Sequence, residues 1–289
     1  MKDKLFAEKK ITVAVLRLDA LHPVVSGNKF FKLKYFLEEA LNKNKAVITF
    51  GGAYSNHLVA TAFACREAGI ACTGIVRGEA PEMLSPTLQQ CREYGMQLKF
   101  ISRDAYKKHD EPSFLHELEK DFVSHIVIPE GGYHPLGAKG SAGIGEYIRA
   151  ENYSHIACAV GTATTIAGLL SVADAHQTVL GFNVLKGMTD LDLRLRYLLA
   201  EKNAAKKIKV IDDYTFDGYA KKNAALIAFM NRLYEQENLP TDFVYTAKMM
   251  YGIYDMVRMD HFAPGSKIVC IHTGGLQGNA SLPEGSLIF

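Results

Sequence analysis

The stretch SGNKFFKLKYFL, residues 26–37, sets three lysines among large apolar side chains. Wound as a helix at about 100° per residue, it puts Leu33, Phe36, Leu37 and Ala40 on one face. Lys29 projects from the middle of that face and Lys32 from its edge. Lys34 points away, toward Glu38 four residues on, as an ordinary solvent pair. An ammonium on an apolar face is costly and tends to lose its proton. A neutral amine so placed is suited to capture an aldehyde. The alternative is a lysine that buries its stem and keeps its head in water; the segment alone leaves both open.

Three glycine-rich junctions add further chemistry. VGTATT, residues 160–165, follows an apolar run and opens a helical pattern. Gly161 permits close backbone approach, Thr162, Thr164 and Thr165 bring hydroxyls, and the helix start brings free N–H groups. This is a cup for one phosphate, or else a plain threonine-rich cap. It lacks the GK[ST] of a nucleotide loop and the GxGxxG of a dinucleotide site. FGGAYSNHL, residues 50–58, offers Ser55 and Asn56 at another helix start, where a carboxylate would meet several donors. The competing reading is a simple cap with a solvent-facing His57. HTGG, residues 272–275, puts Thr273 where it contacts a bound ring or merely caps a turn. Tyr245 and Thr246 lie at a helix start in DFVYTAKMMYG, and Tyr219 follows a glycine in FDGYAKKN. Buried tyrosines usually only satisfy a hydroxyl. Together, an aldehyde-capturing lysine, one phosphate cup, one carboxylate cup and polar groups around a ring are the set that a pyridoxal-phosphate site requires.

These residues need a scaffold that gathers them. Apolar runs at 45–50, 70–78, 96–102, 125–132, 155–161, 178–185 and 267–275 read as strands. Helical patterns at 55–69, 85–95, 112–122, near 138–150, 165–174 and 225–237 alternate with them. Such alternation predicts an α/β protein with parallel sheets and helices on both faces. Ligands in such folds sit at the carboxyl ends of strands, where the three junctions fall.

Composition narrows the class. Of 289 residues, 48% are hydrophobic and 22% charged, with a net charge of +2. That is an ordinary globular balance, and no basic run favours nucleic acid or an anionic membrane. No apolar run is long enough to span a bilayer. The N-terminus MKDKLFAEKK has no apolar signal core. The five cysteines are scattered without CxxC spacing, which predicts reduced, buried thiols, no metal site and a cytoplasmic protein.

The ordered motifs resemble the family of D-cysteine desulfhydrase and 1-aminocyclopropane-1-carboxylate deaminase, fold-type II pyridoxal-phosphate enzymes of the tryptophan synthase β group. GNKFFKLKYFL is similar to the family's GNKxRKLxYL, GGAYSNH to its GGxxSNx loop, and GTATTIAGL to its phosphate loop. VYTAK and HTGG match its C-terminal segments. The resemblance runs from about residue 20 to about 280. It implies Lys29 as the cofactor-binding lysine and base, with Lys32 reaching the phosphate and Asn56 the cofactor's 3′-oxygen. Asn28, Gly161, Thr162, Ala163, Thr164, Thr165, Thr246 and Thr273 complete the cofactor site. Ser55, Asn56 and His57 face the substrate, and Ser55, Tyr219 and Tyr245 join Lys29 in catalysis, a tyrosine protonating the leaving group. Two departures stand out: Phe31 replaces the family's arginine, and the chain is shorter than typical members.

Deaminases of this family carry Glu after the VY tyrosine and an apolar residue in the last motif. Here these are Thr246 and Thr273, which leans toward β-elimination of D-cysteine to pyruvate, ammonia and sulfide. No Asp or Glu is evident to protonate the ring nitrogen, so either threonine would leave it neutral. Opening of the cyclopropane amino acid to 2-oxobutyrate is the alternative; a non-catalytic binder of the cofactor or an amino acid is the second. A phosphate-binding module without pyridoxal rests on GTATT alone. The resemblance implies two lobes, residues 1–35 with 145–289 and residues 36–144, with the cofactor between them, and a homodimer acting on a small amino acid.

Overall fold

The apolar runs form strands, and the strands are parallel. The computed structural model describes residues 1–121, 124–199 and 208–289. One sheet has the order β1 (Thr12–Arg17), β9 (Lys267–His272), β6 (His155–Val160), β7 (Thr178–Asn183), β8 (Ile208–Ile211). The other has the order β4 (Gln97–Ile101), β3 (Cys72–Arg77), β2 (Ala46–Gly51), β5 (His125–Ile128). Every neighbouring pair is parallel. The edge strands β1 and β8 are partly exposed and lie outside the predicted strands.

Helices α1 (Lys4–Glu8), α2 (Asn28–Asn42), α3 (Asn56–Glu67), α4 (Pro86–Glu93), α5 (Arg103–Tyr106) and α6 (Pro112–Asp121) belong to the first half of the chain. Helices α7 (Pro135–Ser141), α8 (Thr164–Val172), α9 (Leu191–Leu199), α10 (Ala224–Glu237) and α11 (Thr246–Arg258) follow. The predicted helix 112–122 ends on Phe122, which lies outside the described residues. The helix expected near 138–150 is instead α7 followed by a 3-10 turn at Ala142–Tyr147. Local chemistry sets several starts. Ser55 accepts the N–H groups of His57 and Leu58, and Ser85 accepts that of Leu88 ahead of Pro86.

Alternation along each strand splits the core, because successive side chains face opposite sides of a sheet. In β9, Ile268 and Cys270 pack with Met249 and Ile253 of α11, while Val269 and Ile271 pack with Ile166 and Leu169 of α8. In β2, Val47 joins Leu58 on one side, and Ile48 and Phe50 join Tyr106 and Leu118 on the other. Helix α2 serves both sheets: its Phe31 packs with the five-stranded sheet's helices, its Leu33, Phe36 and Ala40 with the four-stranded sheet. The expected lobe boundary between residues 35 and 36 thus falls inside one continuous helix. All five cysteines are buried free thiols. Among the described residues no helix is long and apolar enough to cross a membrane.

Candidate active site

The carboxyl end of β9 meets the amino end of α2, and the start of α8, after β6, reaches it through Thr165. Gly27, at φ 67°, makes the junction possible: a Cβ there would lie 1.8 Å from the carbonyl oxygen of Thr273. Next to it, the N–H of Asn28 donates to that same carbonyl at 3.0 Å. The start of α2 is therefore locked to the end of β9, which fixes where Lys29 emerges.

Lys29 Nζ donates to Asn28 Oδ1 at 2.8 Å, and Asn28 Nδ2 donates to Thr165 Oγ1 at 2.8 Å. One buried amide thus joins the lysine to the threonine loop. In that loop Ala163 takes φ 65° and ψ −5°, a left-handed conformation costly for a residue with a Cβ. It turns the backbone so that α8 begins at Thr164. The hydroxyls of Thr162 and Thr164 lie 2.9 Å apart. Burial pulls the Lys29 pKa down to about 8, and the carboxylate of Asp242 opposes the fall. Lys32 is 4% exposed; burial and then the charge of Lys29 hold its pKa well below the ordinary value. Its Nζ donates to the Gly131 carbonyl at 3.0 Å, and Gly131 abuts Thr162.

Across the site, Asn56 Nδ2 donates to the carbonyl of Gly275 at 3.0 Å. Asn56 Oδ1 is buried without a protein partner, the condition of a group that receives a ligand. Ser55 Oγ accepts two N–H groups at 3.2 Å, which leaves its own hydrogen to donate. Tyr245 lies with its ring against Gly161, and its hydroxyl donates to that of Tyr219 at 3.3 Å. Desolvation raises both phenols' pKa values, Tyr245 well above the ordinary range and the half-exposed Tyr219 less, so both remain protonated donors at neutral pH. A withdrawn amine, an unpartnered acceptor and a hydroxyl-lined helix start suit an aldehyde-bearing monophosphate.

The structure places four further positions. His57, expected at the substrate and alternatively at solvent, is 3% exposed, and its Nε2 lies 2.8 Å from Thr49 Oγ1. Burial, then Lys29 and Lys32, push its pKa well down, so the ring is neutral. Thr246 is turned away from the ring-contact role: its hydroxyl donates to Asp242 Oδ1 at 2.6 Å and accepts the Asp242 N–H at 2.9 Å. Phe31, where the family's arginine stands, is an apolar packing residue, edge-on to Phe30 and Tyr147. Lys34 lies 5.4 Å from the ring centre of Tyr35, and among the described ion pairs none joins it to Glu38.

The sequence reading missed Asp242. It is 1% exposed, and its carboxylate accepts the N–H groups of Val244, Tyr245 and Thr246. An Asp four residues before Thr246, next to a helix start, was the available signal. It reads as a cap, and it is one; its charge also reaches Lys29.

A family model described as "Pyridoxal-phosphate dependent enzyme" matches residues 3–274. A protein of Thermotoga maritima named "Putative 1-aminocyclopropane-1-carboxylate deaminase" is 32% identical over 291 residues, covering 92% of this chain and 89% of its own. A Pyrococcus horikoshii protein of the same name is 30% identical over 269 residues, covering 88% and 81%. The solved structure "Crystal Structure Analysis of the ACC deaminase homologue" superposes with a TM-score of 0.80 at 28% identity, over 96% of this chain and 88% of that one. Serine racemase from Dictyostelium discoideum shares the fold at a TM-score of 0.65 and 15% identity, over 94% and 90%.

Proposed function

The chain belongs to the pyridoxal-phosphate dependent enzyme family, and we propose that within it the protein is a deaminase whose leading substrate is 1-aminocyclopropane-1-carboxylate. It is a catalytic member that uses pyridoxal 5′-phosphate and acts on a small amino acid. The geometric observation that supports the reading best is the Lys29–Asn28–Thr165 chain, which links a partly neutral amine to a phosphate-type loop. The relatives' shared name supports the cyclopropane substrate. The sequence reading put D-cysteine first because of Thr246 and Thr273. Both positions still depart from the deaminase pattern, and the Thr246 hydroxyl is held by Asp242; the relatives' shared name outweighs that lean. D-Cysteine elimination is therefore the second reading.

When bound, the cofactor supplies an electron-withdrawing ring that labilises bonds at the substrate's Cα. Lys29 holds its aldehyde carbon, with Asn28 Oδ1 orienting the amine. Thr162, Thr164, Thr165 and the N–H groups at the start of α8 hold its phosphate, and Lys32 supplies positive charge beside that loop. Ser55 and Asn56 receive the substrate carboxylate, and His57 supports them from behind as a neutral ring. A Lys29 amine that titrates at about 8 both takes and returns a proton near neutral pH. The Tyr245–Tyr219 pair, protonated at neutral pH, delivers a proton to the carbon released on ring opening, or to sulfur in the second reading.

Residues 1–35 with 145–289 as one lobe, residues 36–144 as the other, and a cytoplasmic homodimer belong to the same proposal. Sedimentation of the purified protein tests the dimer. The decisive assay incubates cofactor-loaded protein with 1-aminocyclopropane-1-carboxylate, D-cysteine, L-cysteine and D-serine, and measures 2-oxobutyrate and pyruvate. The proposal expects 2-oxobutyrate from the cyclopropane, lost in Lys29→Ala. Pyruvate from D-cysteine alone favours the second reading, and no product from any substrate leaves a binder.

A further inference from the structure

We propose that Lys248 is a positioning residue that holds Tyr219 against Tyr245 by clamping the loop that carries it. The proposal rests on the reading of these two tyrosines as the proton-delivering pair. Lys248 lies on α11, three residues after Tyr245, and is 0% exposed. A lysine without solvent must find acceptors inside the protein. Its Nζ donates to the carbonyls of Thr215 and Gly218, each at 2.7 Å. These carbonyls bracket Phe216 at φ 50° and Asp217 at φ 66°, and Gly218 follows at φ 119°. Left-handed conformations at two consecutive non-glycine residues are costly and persist only where the surroundings impose them. Tyr219 is the next residue.

The rest of α11 points the same way. Tyr214, just before the clamped loop, donates to Asp255 Oδ2 at 3.0 Å. Tyr245, just before α11, is fixed by the carboxylate of Asp242, which accepts its N–H at 2.8 Å. Tyr245 thus leads directly into the helix, fixed by the carboxylate just before it, and Tyr219 is tied to the same helix through the Lys248 amine. Burial pulls the Lys248 pKa down to about 8. A neutral amine still carries two hydrogens, so both carbonyl bonds survive loss of the charge.

The test is a double-mutant cycle in the loaded enzyme with Lys248→Met and Tyr219→Phe. A displacement of about 1 Å costs on the order of 100-fold in rate, so Lys248→Met is expected to lower kcat about 10- to 100-fold with KM nearly unchanged. In the Tyr219→Phe background its effect should shrink to about 2-fold or less, because the residue it positions is already disabled. Equal losses in both backgrounds overturn the proposal. Lys248→Arg, which keeps donors, is expected to recover much of the rate. Independently of turnover, 3-fluorotyrosine placed at position 219 reads the loop by fluorine resonance. The signal should shift or broaden in Lys248→Met, and an unchanged signal overturns the proposal even if no substrate is turned over. Should Lys248→Met fail to fold, Lys248→Gln enters both measurements in its place.

Discussion

Lys29 Nζ and Thr165 Oγ1 are joined through a single side chain: Asn28 accepts from the lysine at 2.8 Å and donates to the threonine at 2.8 Å. The amine and the phosphate-type loop therefore cannot move independently. Replacing Asn28 by Leu takes this partner from a half-buried amine and a buried threonine hydroxyl. A hydrogen bond to a charged group contributes about 1.5–3 kcal/mol, so cofactor affinity should fall roughly 10- to 100-fold. Absorbance titration of the apoprotein with pyridoxal phosphate measures this, and an affinity within 2-fold of the native value contradicts the link.

The pH dependence of cofactor loading follows from Lys29. Its pKa is lowered to about 8 by burial, so the proton is held less tightly than in a free lysine. The amine that captures the aldehyde is the unprotonated form. Loading should speed up as pH rises toward about 8 and level off above it. Stopped-flow absorbance across pH 6–10 checks the midpoint; a rate that keeps climbing toward the ordinary lysine range near 10.4 contradicts it.

Much of this site was legible because its groups are chemically conspicuous. Lys29 was found by asking which lysine sits on an apolar face, and the three junctions by glycines and hydroxyls after apolar runs. The order of strands was not legible: β9, last in the chain, inserts between β1 and β6, and no local pattern encodes that pairing. Burial of polar groups was equally hidden. His57 reads as facing substrate or solvent until Thr49 is brought beneath it from β2. Lys248 reads as an ordinary helical lysine until the loop at 215–218 folds over it. In each case the partner belongs to a different element of the fold.

Gly275 ties the Asn56 loop to the end of β9. It has φ 77°, and a Cβ there would lie 2.4 Å from Asn56 Nδ2. Gly275→Ala must push Asn56 away and accept a left-handed alanine, which costs roughly 1–2 kcal/mol. The variant should melt lower and bind cofactor more weakly. Paired melting curves of apo and loaded protein separate the two effects. A smaller cofactor-induced rise in Tm than in the native protein is expected, and an equal rise contradicts the role of Asn56.

Acid stability should trace to Asp19. Burial pushes its carboxyl pKa up, but hydrogen bonds from His272 and Arg17 outweigh this and hold it below the ordinary range. Arg17 Nη2 lies 2.6 Å from it and His272 Nδ1 3.1 Å. A depressed folded pKa contributes stability that is complete above the unfolded value near 3.9 and is lost as pH falls below it. Arg17 is 37% exposed, so solvent screens the pair and its loss costs on the order of 1 kcal/mol. Asp19→Asn should therefore melt modestly below the native protein at pH 7, with the gap narrowing toward pH 3. A gap that stays constant with pH contradicts the assignment.

The central claim is that Lys29, among three buried or half-buried lysines with lowered pKa values, is the one that carries the cofactor. Borohydride reduction of the loaded protein, followed by digestion and peptide mass analysis, tests it directly. The account predicts loss of the visible band and a pyridoxyl phosphate mass on the peptide at Lys29. The same mass on Lys32 or Lys248, or on no lysine, contradicts it.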